Sequence, residues 1–278
     1  MIGQIYSSMP HFLSRWLGLR YLLVQLTRRE IAQRYRGSWL GGFWVVLTPL
    51  LMLSVYTWVF SVVFTGRWIT AAQSAHPQGK LDYALTIFVG LLVFQLFAEC
   101  IARAPAVIVS NANYVKKVVF PLPLLPVVSL GAAIFNFCVG LVVWLILYGF
   151  VHGLPPITIL ALPIVLAPYL LLVLGLSWVL AATGVYLRDL APVIQMVVML
   201  LNFLSPIFYP LEGLPVFVRD WALLNPLALI IEQARLVMIV GNLPDWASLS
   251  VYSLAAGLIA AAGLAWFRFT RSGFADVL

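Results

Sequence analysis

The side chains that could do covalent chemistry are scattered through this chain. His11, His76 and His152 are its three histidines, and they fall in three separate peripheral segments. No HExxH, GxSxG or GxxxxGK[ST] pattern occurs, so neither a zinc hydrolase site, a serine nucleophile nor a phosphate-cradling ATP loop is written in the sequence. Cys100 and Cys138 both stand in apolar stretches, with no CxxC, which points away from a disulfide framework or a metal centre. An enzyme gathers acids, bases or ligands in one place. None are gathered here, so no catalytic residue and no metal ligand is assigned. Two charged features remain. Glu99 and Arg103 stand four residues apart, in the favourable order for a helical ion pair, and read either as that local pair or as the lining of a conduction path. Arg28, Arg29, Arg34 and Arg36 stand directly before a long apolar run.

The elements that must carry these residues follow from composition. Of the 278 residues, 63% are hydrophobic and only 9% charged, against about 25% charge in a soluble domain. Such a chain cannot clothe itself in a polar surface, and it reads as an integral membrane protein. Spans need about 20 mostly apolar residues. Six stretches qualify: Leu40–Phe64, Ala84–Val109, Pro126–Val151, Ile157–Leu187, Pro192–Tyr209 and Ser248–Phe267. The fifth is the shortest and ends in "SPIFYP". Helices are expected because lipid leaves no partner for a bare backbone.

The net charge of +7 orients the spans. With the N-terminus in the cytoplasm, twelve Lys and Arg fall inside and four (Arg67, Lys80, Arg219 and Arg235) outside. Basic residues accumulate on the cytoplasmic side, so both termini are expected there. No basic n-region precedes a short apolar core, and no cleaved signal peptide is expected. The long segment between spans five and six contains "LALIIEQARLVMIV", too short to cross, which suits a re-entrant or interfacial helix at the outer end of a pathway. Near the N-terminus, Leu19, Leu22, Leu23 and Leu26 follow helical spacing, with Arg20, Thr27 and Arg28 on another side. This predicts an amphipathic helix along the inner membrane face. The expected fold class is therefore an all-α integral membrane protein: six transmembrane helices, an N-terminal amphipathic interface helix, and a re-entrant helical segment on the outer side between spans five and six. Residues 1–278 form one transmembrane domain, with the interface helix at 10–38, the six-span bundle at 40–267 and the outer re-entrant region at 211–247.

Several motifs, in order along nearly the whole chain, carry a resemblance. "RREIAQRYRGSWLGGFWVVLTPL" (Arg28–Leu50) presents Arg34, Tyr35, Arg36, Gly37, Ser38, Leu40, Gly41, Trp44 and Pro49. Then come "NANYVKKVVFPLPLLP" (Asn111–Pro126), "YLRDLAPV" (Tyr186–Val193), "SPIFYP" (Ser205–Pro210) and "NPLALIIEQAR" (Asn225–Arg235). The set resembles the permease subunits of bacterial ABC transporters that export O-antigen, capsule or teichoic acid. That resemblance implies a homodimer in the inner membrane with two copies of a cytoplasmic ATPase subunit. The ATPase would bind ATP and Mg, leaving this chain without a cofactor. The dimer would enclose a channel for a lipid-linked polysaccharide. It also implies a gating helix and coupling contact between spans two and three, where Asn113, Tyr114, Lys116 and Lys117 stand. Asn111 and Asn113 can cap a short helix there. The two lysines meet the ATPase or the lipid diphosphate, or are ordinary positive-inside charge. Arg188 and Asp189 form either a second coupling contact or a surface pair.

A glycan is polar but presents C–H faces, which flat aromatic rings can hold. Trp44, Tyr56, Trp58, Phe60 and Phe64 around span one, and Phe203, Phe208 and Tyr209 at the end of span five, are the candidates for glycan contact. Packing between helices and interface anchoring are the plainer roles for the same rings. Arg28, Arg29, Arg34 and Arg36 stand where a lipid diphosphate would arrive, and arginine binds such a group bidentately; general attraction to anionic lipid is the alternative. An ABC permease carrying a drug, teichoic acid or another lipid remains a competing class, as does a polytopic enzyme acting on a lipid-linked sugar. The latter would need a clustered acid or base.

Overall fold

The structure, a computed structural model, describes residues 11–35, 41–59, 80–116, 120–211 and 225–278. Regular structure among them is helical throughout. The main helices are α1 (His11–Tyr35), α2 (Trp44–Trp58), α3 (Lys80–Arg103), α4 (Ala112–Lys116), α5 (Leu124–His152), α6 (Leu162–Tyr186), α7 (Leu190–Leu204), α8 (Pro226–Arg235), α9 (Trp246–Thr270) and α10 (Phe274–Val277).

Among the described residues, four stretches are long and apolar enough to cross a membrane: Leu81–Ala106, Leu124–His152, Ile157–Tyr186 and Trp246–Val277. They coincide with the second, third, fourth and sixth expected spans. The other two expected spans correspond to shorter apolar helices, Gly41–Val55 and Leu190–Leu204. Fifteen residues at about 1.5 Å each reach only about 22 Å, short of the roughly 30 Å hydrocarbon core. Leu40–Phe64 continues into residues outside the described set. The fifth stops at Leu204 for a local reason. Ser205, with ψ 146°, takes the extended conformation imposed by the following Pro206.

α3 is the centre of the bundle. It is apolar on nearly every side, which is the pattern of a buried helix, and Ile87, Val89, Val93 and Leu96 are almost wholly enclosed. α5 and α6 are tied to it by side chains that donate to its carbonyls: Trp144 Nε1 to Leu85 O (3.1 Å) and Tyr169 Oη to Val93 O (2.6 Å). α6 and α9 approach backbone to backbone. A Cβ added at Gly263 would lie 2.3 Å from Gly175 O, so only glycine admits this contact.

The bundle has two distinct ends. At one, Leu22 and Leu26 of α1 and Tyr114 of α4 pack against a small core of Ile108, Phe120, Ala181, Val185, Phe267 and Phe274. The leucine stripe expected on α1 is thus used, at least at these two positions, against protein. At the other end, the starts of α3 and α6, the end of α5 and the buried helix α8 meet. Gly41 takes a positive φ of 50° at the short turn before α2. Among the described residues, nothing lies within 4 Å of a Cβ at Gly41 or Gly42. Pro49 sits inside α2.

Candidate functional site

Two polar constructions lie within this apolar bundle. The first is a cleft of about 220 Å³ walled by α2, α3, α5 and α7. Helical periodicity builds two of its walls, since residues four apart share a face. Trp44, Thr48 and Met52 line it from α2, and Leu91, Gln95 and Glu99 from α3. Asn136 of α5 and Asn202 of α7 complete the polar set, and Phe88, Leu92, Phe94 and Phe137 contribute apolar wall.

Glu99 is the hub of that cleft. It is paired with Arg34 of α1, both side chains being largely enclosed (11% and 16% exposed). Asn136 Nδ2 donates to both of its carboxylate oxygens, at 2.9 and 3.0 Å. The i, i+4 pair with Arg103 expected from the sequence is not formed. Arg103 Nη2 instead reaches Glu30 of α1 at 2.7 Å, and Glu30 also lies 3.9 Å from Arg34. The reason is tertiary: α1 packs against α5, with Thr27 at Gly131, and so carries Arg34 and Glu30 to the end of α3, where each charge finds a better-placed partner. A carboxylate in the bundle needs a counter-charge and further hydrogen bonds to be tolerated, and Arg34 and Asn136 supply them.

The second construction is at the other end. Arg235, on α8, is buried at 5% exposure. Its Nη1 donates to Pro206 O (2.7 Å), Nη2 to Ile207 O (2.8 Å) and Nε to Thr86 O (3.3 Å). Nη1 also lies 3.2 Å from Glu232 Oε1. The planar guanidinium fork therefore ties the non-helical segment after α7 to α3 and α8. α8 is built by its own sequence. Asn225 caps it by accepting from Leu227 N (3.0 Å), and Pro226 at the first helical position lacks only an N–H that would have been unpaired anyway. Asn225 Nδ2 also donates to Ser205 Oγ (2.9 Å), and Gln233 Oε1 accepts from Asp245 N (2.8 Å), which joins α8 to the start of α9. Asp245 caps α9, accepting from Ala247 N and from Ser248 Oγ. The Ser248 hydrogen bond holds its carboxyl below the ordinary aspartate value.

The residues singled out from the sequence are distributed across these regions. Trp44 lies in the cleft. Trp58 is exposed at the far end of α2, and Phe203 is exposed on α7. Phe208 and Tyr209 are half-buried in the segment held by Arg235. Tyr209 Oη donates to Phe203 O (3.2 Å), and Phe208 O accepts from Tyr83 Oη (3.3 Å). Phe60, Phe64, Arg36 and Lys117 lie outside the described residues, as do the side chains of Tyr56 and Lys116. Arg28 is exposed on α1. Arg29 Nη1 reaches Tyr114 Oη at 3.4 Å, so α1 meets α4, whose Tyr114 ring also packs on Phe120. Asn113 is exposed. Asn111 stands just before α4, but its amide donates back to Val107 O (2.9 Å) and does not cap the helix. Arg188 and Asp189 are both exposed at the turn between α6 and α7. Sequence reasoning missed Glu30, Gln95, Asn136 and Asn202. The signal for the last three was present, since each is a polar residue inside an otherwise apolar span.

Among the described residues, a helical bundle with four membrane-length apolar helices, and a cleft between helices that carries a few polar groups on a mostly apolar wall, is the architecture of a multi-pass membrane protein. More particularly, the chain belongs to the ABC-2 type transporter family, which it matches over residues 21–239. It is 29% identical over 260 residues to the O-antigen export system permease protein RfbA of Myxococcus xanthus, covering 92% of this chain and 95% of that protein. It is 25% identical over 259 residues to an O-antigen export system permease protein RfbA of Klebsiella pneumoniae, with the same coverage. To the polysialic acid transport protein KpsM of Escherichia coli it is 21% identical over 243 residues, covering 86% of this chain and 90% of that protein.

Proposed function

We propose that this chain is the membrane permease of an ABC exporter that moves a lipid-linked polysaccharide, of O-antigen or capsule type, across the bacterial inner membrane. The observation that carries the reading is the end-to-end similarity to proteins named for O-antigen export and polysialic acid transport. The chain is a transport subunit. A separate cytoplasmic subunit, present in two copies, binds ATP and Mg and hydrolyses the nucleotide. Two permeases pair around one conduit.

In this reading residues 1–278 are one transmembrane domain. α2 and α7 complete a six-span bundle, and α8 is a re-entrant helix on the outer side. Both termini are cytoplasmic. The excess of basic residues on the proposed inner side supports this, and it is strengthened by the burial of Arg235, which leaves the outer loops. α1 lies at the inner face. Arg28, Arg29 and Arg36 there meet headgroups or the lipid diphosphate. α4 with Asn113, Tyr114, Lys116 and Lys117, and the turn with Arg188 and Asp189, face the ATPase. The contact of Arg29 with Tyr114 supports a mechanical link between α1 and α4.

The test is reconstitution of export. The permease is co-expressed with a candidate ATPase subunit in a strain lacking its own exporter, and surface glycan is measured against permease abundance. Export is expected with the intact ATPase and is lost when the ATPase cannot hydrolyse ATP. Export that persists without hydrolysis, or glycan retained inside with the intact pair, removes the proposal.

A further inference from the structure

The α2–α3–α5–α7 cleft combines three properties. Of the four aromatic residues on its mostly apolar wall, Phe88, Phe94 and Phe137 are buried and Trp44 is partly exposed. It has a polar set (Thr48, Gln95, Asn136 and Asn202) that includes both donors and acceptors. Its one anionic group, Glu99, is already countered by Arg34. We infer that this cleft is a binding site for a neutral pyranose unit, with Trp44 supplying the flat face and Gln95, Asn202 and Thr48 the hydroxyl partners. The inference rests on the proposed export of polysaccharide and names the residues that would read the sugar.

Each competing ligand class fails on one of those properties. A lipophilic cation needs an uncompensated carboxylate, and Glu99 is held by Arg34 and Asn136. An anion needs an available guanidinium, and Arg34 is engaged by Glu99, with Glu30 close by. An acyl chain needs no amides, yet polar residues within spans are costly unless something pairs with them. Gln95 is exposed within α3, and Asn202 Oδ1 is enclosed with no hydrogen-bond partner among the described residues. An enclosed, unpaired carbonyl oxygen calls for a donor, and a sugar hydroxyl both donates and accepts. The size agrees. About 220 Å³ is below the roughly 300–1,000 Å³ of sites for drug-sized ligands, so the cleft suits one ring of a longer chain. Glu99 is then a positioning residue that orients Asn136. The weak, neutral contacts allow successive rings to pass.

Two experiments test this. In the export assay, Gln95→Leu, Asn202→Leu and Trp44→Ala are each expected to lower surface glycan about tenfold or more per membrane-inserted permease, and Trp44→Phe to restore much of it. In the second, a Cys138→Ser chain carrying Met52→Cys, at a position that lines the cleft but has no assigned sugar contact, is labelled with a hydrophilic maleimide in complex with the ATPase in membranes; Cys100 is buried and does not interfere. Maltohexaose is expected to slow the labelling several-fold, and tetraphenylphosphonium to leave it unchanged. Wild-type export by all three loss variants overturns the sugar site while leaving the exporter reading intact. Labelling unaffected by maltohexaose, or slowed by tetraphenylphosphonium alone, also overturns it. Failure of the wild-type pair to export counts instead against the exporter reading, and the labelling result still decides the sugar site.

Discussion

The buried arginine on α8 and the carboxylate in the cleft are both charges inside an apolar bundle, yet they are handled differently. Arg235 is closed on every side. Backbone carbonyls of Pro206, Ile207 and Thr86 take its donors, and Glu232 stands beside it. Glu99 is held from one side by Arg34 and Asn136, while the other side opens onto a cleft where Gln95 and Asn202 have no such saturation. A charge with every bond made inside the protein fastens structure. A charge that leaves neighbouring polar groups open to a cavity prepares a place for a ligand. The two regions therefore assign different work to residues that sequence alone treats alike.

Breaking the closed region should have the largest effect. Arg235→Met leaves the carbonyls of Pro206 and Ile207 without their donor and Glu232 without its partner, and is expected to cost about 3–5 kcal/mol, read as a lowered melting temperature in detergent and reduced membrane abundance. Arg235→Lys should restore little, because an ammonium cannot reproduce the planar fork. A fully stable Arg235→Met protein would remove the distinction drawn here.

Glu99→Gln probes the open region. It keeps a hydrogen-bonding partner for Asn136 but leaves Arg34 with the more distant Glu30 (3.9 Å) as counter-charge, and a loss of about 1.5–3 kcal/mol is expected. The double variant with Arg34→Gln should recover part of that loss, since contacting residues are coupled. Additive losses in a double-mutant cycle would show that the pair does not act as a unit.

Arg103→Ala sharpens the comparison from the surface. Arg103 is 48% exposed, and its bond to Glu30 is expected to contribute only about 0–1 kcal/mol. A loss as large as that of Glu99→Gln would place Arg103 in the same network.

The smallest effect is expected at Asp245, exposed at the cap of α9. Its carboxyl is held below the ordinary value by the Ser248 hydrogen bond. A depressed folded value means that the contribution is fully present above the unfolded value, near 3.8, and is lost as pH falls through the lowered folded one. The melting-temperature difference between wild type and Asp245→Ala should therefore be constant through neutral pH and shrink only in acid. A difference that changed around pH 6 to 7 would point to another group.

Much of the architecture was legible in the residues themselves. Hydropathy marked the four long helices to within a few residues, because a bilayer demands about 20 apolar residues whatever the packing. The apolar stretch "LALIIEQARLVMIV" marked a short helix where α8 stands. Leu22 and Leu26 announced an apolar face on α1. Local rules decide these features, so a local reading finds them. Partner choice was not local. Spacing offered Glu99 to Arg103, and only the packing of α1 against α5, beside the end of α3, gave Glu99 to Arg34 and Arg103 to Glu30. Charge counting put Arg235 among the outer cations, in a short helix, and did not show that the break at Ser205-Pro206 supplies the carbonyls that bury it. Gln95, Asn136 and Asn202 lie on three different helices, and no periodicity relates them. What brings them to one cleft is the packing of α2, α5 and α7 around α3. A charge or amide in an apolar medium takes the partner that distance allows, and in a folded chain distance is set by tertiary structure.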